Sequence, residues 1–282
     1  MPQPVKRRDS VLGKPANGEL ANGKPAGAGP ANGSLSGSVQ DSAARRQRRT
    51  LILAVLFVFV AAPVTLALGT LFDTGNSYAT SVLVIIYALV PFFAAFEHSR
   101  PKAHDVVIVA VMCALAVVAR AAFFWLPYFT PVTGVIIIAA IALGAVPGFM
   151  VGAITLFVSN FLFAQGPWTP WQMFAYGLTG FVFGLLAQRG RIPRANLTPK
   201  AKVGLAVGGF AFVVCITGPL LDTSSVFMML SPITPEGALA VYASGLPVNL
   251  MHGSATALTL LLLANPLLGQ LDRIRTKYGL ME

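Results

Sequence analysis

Arg120 is the one basic residue of this chain that lies inside a long apolar run rather than in a tail or in a loop between such runs. Burying a guanidinium in a bilayer is costly unless the group faces water, a partner or an anionic ligand. The position therefore predicts either a binding role or a side chain that reaches the nearby membrane surface, since Pro127 and Pro131 end the run about two turns later. In the first case Arg120 would neutralise or hydrogen-bond an anionic group of a small molecule.

A second unusual segment covers residues 159–172, where two prolines and a glycine interrupt the apolar pattern. Its amide side chains supply hydrogen-bond donors and acceptors without charge, and its indole rings supply flat apolar faces. Such a loop predicts either the rim of a pocket between helices or a turn that tryptophans anchor in the membrane surface. On the first interpretation the candidate ligand-binding residues here are Asn160, Gln165, Trp168, Trp171 and Gln172.

Two further groups of side chains complete the candidate binding site. Phe124 and Tyr128 belong to an aromatic cluster next to Arg120, which predicts either an interfacial belt or an apolar wall for a ring-bearing ligand. Asn249 and His252 belong to a polar stripe at helical spacing in the last apolar run. That stripe predicts either the lining of a cavity or hydrogen bonds between helices.

Motifs for catalysis and nucleotide binding do not occur in the sequence, which has no Walker loop, no His-Glu-x-x-His and no Gly-x-Ser-x-Gly elbow. Cys113 and Cys215 lie in apolar runs and in no metal or redox spacing. His252 and Ser254 are two residues apart and so point to different sides of a helix, which argues against a hydrolase pair. We therefore predict a binding protein, not an enzyme, with no metal and no cofactor.

The composition is that of a membrane protein, with 55% hydrophobic residues, 11% charged residues and a mean hydropathy of +0.72. The net charge of +10 lies in tails and short loops. Membrane orientation and anionic lipid explain charge in those places more simply than nucleic acid does. Membrane lipid, and not nucleic acid, is the partner that the charge predicts.

The apolar runs predict an all-α polytopic membrane protein with about eight transmembrane helices. Residues 1–49, rich in Ala, Gly, Asn and Pro, predict a disordered basic tail. Residues 50–100 hold two additional helices, residues 101–265 hold a core of six, and residues 266–282 form a cytoplasmic tail. The predicted helices are 51–71, 79–96, 106–126, 132–146, 148–163, 172–187, 203–221 and 237–263.

The basic residues also predict the direction of each crossing, because Lys and Arg accumulate on the cytoplasmic side. Counted from a cytoplasmic N-terminus, every loop with Lys or Arg falls inside, while the outer loops carry Asp73, Asp222 and Glu236 and no basic residue. This pattern predicts that both termini are cytoplasmic. It also predicts that the 159–172 segment faces outside.

Two other functional classes stay open on these observations. A secondary carrier coupled to protons or sodium normally has buried acidic residues and corresponding broken helices in its two halves. No acidic residue lies in the middle of a predicted helix here, which counts against ion coupling. An intramembrane enzyme would bind neither a stoichiometric ligand nor an ATPase.

Several motifs between residues 97 and 187 form a recognisable pattern. They are Arg120-Ala-Ala-Phe-Phe124, the 127–131 loop, the glycines from Gly144 to Gly152 and, most specifically, Ser159-Asn160 followed by Gln165-Gly-Pro-Trp-Thr-Pro-Trp-Gln-Met173. With these motifs the segment resembles the substrate-binding S component of an energy-coupling factor (ECF) vitamin transporter. The two helices predicted before the core depart from the six that are usual in that family.

The resemblance implies a six-helix core that binds a vitamin near the outer face of a bacterial cell membrane. It implies docking on a shared ECF transmembrane subunit driven by two ATPase subunits. Ala110 and Ala114, four residues apart on the first core helix, match the family pattern that contacts that subunit. The subgroup that the chain resembles is linked to cobalamin uptake, which makes cobalamin the favoured ligand.

Overall fold

The computed structural model describes residues 49, 77–99 and 101–278, and all regular secondary structure within these ranges is helical. The predicted tail, apart from Arg49, and the first predicted helix, 51–71, lie outside the described residues. Four of the described helices are long and apolar enough to cross a bilayer, and shorter apolar helices accompany them. The prediction of an all-α polytopic membrane protein is confirmed.

The helices follow one another along the chain with short connections. In order they are α1 (Ser77–His98), α2 (Ala103–Ala122), α3 (Val132–Leu143), α4 (Ala145–Phe163), α5 (Thr169–Gln188), α6 (Pro199–Phe212), a π-helical turn (Val213–Thr217), α7 (Gly218–Met229) and α8 (Pro235–Tyr278). Helix α6, the π-helical turn and α7 continue as one helix of 31 residues.

Helix α3 forms the centre of the bundle. Its sequence is apolar on every side, and a helix of that kind belongs in the interior. Every residue of α3 except Ala142 is buried. The helix packs against α2, α4, α5 and α8, which therefore surround it.

The break between α3 and α4 lies at Gly144, whereas the predicted helices 132–146 and 148–163 placed it at residue 147, which is wrong. Gly144 has a φ of 101°, a left-handed value that favours glycine, and its N–H donates to the carbonyl oxygen of Ala140. Pro147 lies in the first turn of α4. A proline is tolerated there because the first N–H groups of a helix have no partner within it.

Glycines allow α4 and α5 to approach closely. A Cβ on Gly180 would lie 2.1 Å from the carbonyl oxygen of Gly148, and one on Gly184 would lie 2.5 Å from the carbonyl oxygen of Gly144. Small residues four apart permit this kind of backbone contact between membrane helices. Gly208, on α6, shows the opposite situation, since a Cβ there would meet no atom within 4 Å.

Helix α1 packs on the remaining helices through aromatic side chains. The Phe92 ring stacks on Phe149 of α4 with centroids 3.8 Å apart, and it meets the edge of Phe181 of α5 at 5.2 Å. Phe92 is 1% exposed, so this contact is fully buried. Helix α1 therefore shares a core with α4 and α5, and the proposed division at residue 100 stays a prediction.

Three predicted helix ends are corrected by the structure. Helix α2 ends at Ala122 and not at 126, so Arg120 lies in its last turn and not two turns before its end. Helix α7 continues past the predicted end at 221 to Met229, and α8 continues past 263 to Tyr278. Hydropathy alone missed both extensions because polar residues follow each apolar run, whereas tertiary contacts support the helix. Leu268 and Leu271 on the α8 extension pack in the main hydrophobic core, so the helix crosses the predicted boundary at 265 without a break.

Candidate functional site

Arg120 lies in the last turn of α2 and points toward the end of α4. Its Nη1 donates to Ser159 Oγ at 2.5 Å and to Asn160 Oδ1 at 2.9 Å. The guanidinium carbon lies 4.7 Å from the centroid of the Phe163 ring, within the range of a cation–π interaction. The three partners are neutral, and none of the described carboxylates forms an ion pair with Arg120.

Asn160 connects this arginine to the start of α5. Its Nδ2 donates to Gln172 Oε1 at 2.7 Å and to Thr169 Oγ1 at 3.0 Å, while its Oδ1 accepts from Arg120. Asn160 is 1% exposed, so its amide is buried with all of its hydrogen-bonding groups in use. We call Arg120, Ser159, Asn160, Thr169 and Gln172 the Arg120 network.

The loop between α4 and α5 is fixed to this network through Gln165. Its Oε1 accepts from Thr169 Oγ1 at 2.9 Å, and its Nε2 donates to the carbonyl oxygen of Phe157 at 2.8 Å. Trp168 is partly buried, and its indole lies so close to Gly166 that a Cβ there would be 2.4 Å from the ring. The loop is therefore held by its own side chains, as a rigid rim requires.

Aromatic rings extend the network toward the surface. Phe163 contacts Arg120, and its ring centroid lies 5.6 Å from that of Phe124. Phe124 is 73% exposed and Tyr128 is 62% exposed, and Tyr128 has a φ of 61°. Phe124 therefore lies next to the Arg120 network. Tyr128 lies on the loop after α2, and among the described residues its ring makes no ring contact with the network.

A second group of polar side chains surrounds His252. Its Nε2 lies 2.8 Å from Thr130 Oγ1, 3.1 Å from the Tyr176 hydroxyl and 3.4 Å from Thr133 Oγ1. We call these four residues the His252 cluster. Tyr176 of the cluster follows Gln172 of the Arg120 network by about one turn of α5, so the two groups are neighbours.

Asn249 and His252 point to different neighbours, although the sequence predicts one polar stripe. Asn249 is buried, and its Nδ2 donates to Asp222 Oδ2 of α7 at 2.8 Å. A Cβ on Gly218 would lie 2.3 Å from Asn249, which explains why glycine is needed at this crossing of α7 and α8. The structure therefore assigns Asn249 to a contact between helices and His252 to the interior next to Arg120.

Trp171 lies in the core, with 1% of its surface exposed and its ring stacked on Phe227 of α7 at 6.1 Å. Its Nε1 is buried and has no hydrogen-bond partner among the described residues. A role in stacking on a ligand stays a prediction for this residue.

Sequence reasoning missed five members of these clusters as ligand-site residues, namely Thr130, Thr133, Ser159, Thr169 and Tyr176. Tyr176 follows Gln172 by four positions, so helical spacing alone put both side chains on one face of α5. Thr130 and Thr133 gave no such signal. Thr130 lies just before α3 and Thr133 lies in its first turn, and both approach His252 only through tertiary packing.

The contacts of Ser254 and His252 bear on whether these two residues form a hydrolase pair. Ser254 Oγ donates to the carbonyl oxygen of Leu250 on its own helix, and His252 contacts the three hydroxyl groups described above. No group of three His, Cys, Asp or Glu side chains among the residues that the structure covers is arranged to hold a metal ion. What the site offers is binding: a guanidinium, amides, hydroxyl groups and aromatic faces.

A comparison with protein families decides the class of this protein. The family described as "ECF-type riboflavin transporter, S component" matches residues 100–271, which is more than half of the chain. The chain belongs to this family of S components. Among curated proteins and among solved structures there is no match.

The family assignment makes the chain the substrate-specific S component of an ECF transporter for a vitamin, and a multi-pass membrane protein. The matched region begins just before α2 and ends in the extension of α8. It contains the Arg120 network and the His252 cluster in full. The family is one of transporter subunits, which agrees with a site built for binding.

Proposed function

We propose that this S component holds its vitamin at Arg120, through an anionic or hydrogen-bond-accepting group of the ligand. The observation that carries the proposal is the composition of the Arg120 network. Ser159 and Asn160 bind only Nη1 of the guanidinium, and no described side chain accepts from Nε or Nη2. An arginine without a carboxylate partner inside a membrane helix is expected to face water or a ligand.

The remaining candidate residues surround this group in the proposed site. Gln165 and Gln172 would orient amide or hydroxyl groups of the ligand, and Phe124, Tyr128 and Trp168 would cover its rings. Exposed and partly buried aromatic side chains next to a partly buried cation suit a ligand that has both a ring system and polar groups. His252 would contribute from the other side of the site, whereas Asn249 and Trp171 would act mainly through the helices that they support.

Two vitamins are the leading candidates for the ligand. The resemblance of the sequence favours cobalamin, whereas the description of the matched family names riboflavin. Cobalamin carries a phosphodiester and many amide groups, and riboflavin carries ring carbonyls and hydroxyl groups. Arg120 favours the compound with an anionic group, because a guanidinium forms an ion pair with a phosphate, with a geometry that allows two parallel hydrogen bonds.

For the transmembrane partner we propose the exposed face of α2 as the docking surface. Ala110 and Ala114 are exposed, and they share this face with Val107, Val111 and Val118, which are 58%, 58% and 61% exposed. Two alanines four apart leave a shallow strip that another helix can approach closely. Two ATPase subunits bound to that partner would supply the energy.

The first alternative is a secondary carrier, and one argument against it needs correction. The sequence placed Asp222 at the end of a helix, but α7 continues to Met229, so this carboxylate lies within the apolar helix. The presence of an acidic residue there removes the argument that no acid lies within a span. The family assignment and the exposed α2 face support the ECF mechanism instead.

The proposal is tested by co-purification. Co-expressed with an ECF transmembrane subunit and two ATPase subunits, the chain is expected to copurify in mild detergent with all three and with a vitamin that mass spectrometry identifies. Changing Ala110→Leu and Ala114→Leu together should remove the transmembrane subunit and the ATPases while the vitamin stays bound, because the added side chains fill the strip on α2.

Ala243→Leu is the matched control, since Ala243 is an exposed alanine on α8 outside the proposed docking face. It should leave the complex intact. Equal recovery of the partners with the double variant and with this control would contradict the docking surface. A chain that never retains a small molecule, with or without its partners, would contradict the proposed binding function.

The proposed orientation places the α4–α5 loop outside the cell and both termini in the cytoplasm. In a Cys215→Ser background, a membrane-impermeant maleimide is expected to label Pro167→Cys in intact cells and Arg191→Cys only after permeabilisation. Both positions are exposed, whereas Thr169 is 5% exposed and hydrogen-bonded, which makes it unsuitable for labelling. The reverse labelling pattern would show that the site opens to the cytoplasm.

A further inference from the structure

A groove of about 470 Å³ lies between α7 and α8, apart from the Arg120 network. Its floor combines one carboxylate with hydroxyl groups and apolar side chains. The residues that define its chemistry are Asp222, Ser225, Met229, Ser244, Gly245 and Val248. None of the residues that line the groove is a Lys, Arg or His.

Asp222 is the charged group of this groove, and only part of its hydrogen-bonding capacity is used. Asn249 Nδ2 donates to Oδ2 at 2.8 Å, and no described residue donates to Oδ1. Gly245 brings α8 close to the carboxylate, since a Cβ at that position would lie 2.4 Å from Oδ1. The groove thus has a fixed acceptor, held in place from α8 and accessible from the groove.

The position of Asp222 makes a purely structural role energetically unfavourable. It precedes the last residue of α7, Met229, by about two turns and lies in a helix apolar enough to cross a bilayer. A carboxylate at such a position normally pairs with a cation, faces water or binds a ligand. A single hydrogen bond from the neutral Asn249 amide does not compensate the negative charge of Asp222, and no cationic side chain lies among the groove residues.

We propose that the α7–α8 groove is a binding site for a small organic cation, in which Asp222 accepts from a protonated amine. Ser225 and Ser244 would supply further hydrogen bonds to the polar end of the ligand. Met229 and Val248 would contact an apolar body. The site is opposite in charge to the Arg120 network, so the proposal does not depend on where the vitamin binds.

The test uses 4-fluorobenzylammonium as the probe and 4-fluorobenzyl alcohol as its neutral counterpart, with the full-length protein in lipid nanodiscs and empty nanodiscs as the blank. Fluorine NMR is expected to show saturable binding of the ammonium probe only. Asp222→Asn should weaken it by at least about tenfold, because a charge-assisted hydrogen bond is lost. Asn keeps an oxygen that accepts from Asn249, so the contact between the helices is preserved.

Glu236→Gln is the matched control, because it removes the same charge from an exposed position at the start of α8 outside the groove. It should bind the probe as the unmodified chain does, and so should Arg120→Ala. Equal affinity of the Asp222→Asn and Glu236→Gln variants would overturn the proposal. Saturable binding of the alcohol with the same affinity, or loss of ammonium binding in Arg120→Ala, would also overturn it.

Discussion

Arg120→Ala is expected to weaken vitamin binding by roughly thirtyfold to a few thousandfold, the equivalent of about 2–5 kcal/mol. The change removes the guanidinium that Ser159 and Asn160 position, and with it the charge that would pair with the ligand. Calorimetric titration of the purified variant with the vitamin that copurifies measures the effect. Arg120→Lys keeps the positive charge but lacks the planar set of guanidinium N–H donors. Its affinity should lie between those of the unmodified protein and Arg120→Ala.

Two controls separate binding from folding in this experiment. Arg191→Ala removes an exposed arginine after α5 and should leave both affinity and melting temperature unchanged. Arg120→Ala is expected to fold, because Asn160 keeps its bonds to Thr169 and Gln172. A folded Arg120→Ala variant with the affinity of the unmodified protein would show that this arginine merely reaches the membrane surface.

Gly180→Ala is expected to destabilise the protein by about 1–3 kcal/mol through overpacking between α4 and α5. The new Cβ would lie 2.1 Å from the carbonyl oxygen of Gly148 and 2.6 Å from its carbonyl carbon, which are backbone atoms that no rotamer change can move. The helices must therefore separate. The melting midpoint in detergent, read by size-exclusion chromatography after heating, should fall.

Gly208→Ala is the matched change at a glycine with open space around it. It should be neutral or slightly stabilising, because alanine is favoured over glycine within a helix by up to about 1 kcal/mol. The same midpoint for both variants would mean that the approach of α4 to α5 is not limited by glycine. A shift of α5 would also displace Gln172 from Asn160, so Gly180→Ala should reduce vitamin affinity as well.

The sequence predicted a substantial part of the Arg120 network. Its members Arg120, Asn160 and Gln172 were candidates, as was Gln165, which accepts a hydrogen bond from Thr169 of the network. A cation inside an apolar run and amides in a broken segment are unusual in any membrane protein. The hydrogen bonds that join Arg120 to Asn160 and Asn160 to Gln172 were not predicted. They depend on the register of three helices, which one-dimensional spacing does not contain.

The groove at Asp222 shows a different limit of sequence reasoning. The polar run after Leu221 suggested the end of a helix, since hydropathy falls there. In the structure Asn249 donates to the carboxylate and Gly245 lets α8 approach it, so the helix continues and the charge lies within it. The decisive partners lie on α8, distant in sequence, and a local pattern could not reveal them.

The sequence by itself determined the class of this protein: an all-helical membrane chain without a catalytic motif, whose unusual polar residues are the candidates for a binding site. The hydropathy of each segment and the distribution of charged residues along the chain suffice for this assignment. The free-energy cost of placing polar groups in lipid constrains each segment separately. Only the tertiary structure decided which polar groups meet. In the structure Arg120 is hydrogen-bonded to Asn160, His252 contacts the hydroxyl of Tyr176, and Asn249 is hydrogen-bonded to Asp222. Gly218 and Gly245 allow the approach of α7 to α8 at the pair of Asn249 and Asp222, and all three pairings depend on how the helices pack in the assembled bundle.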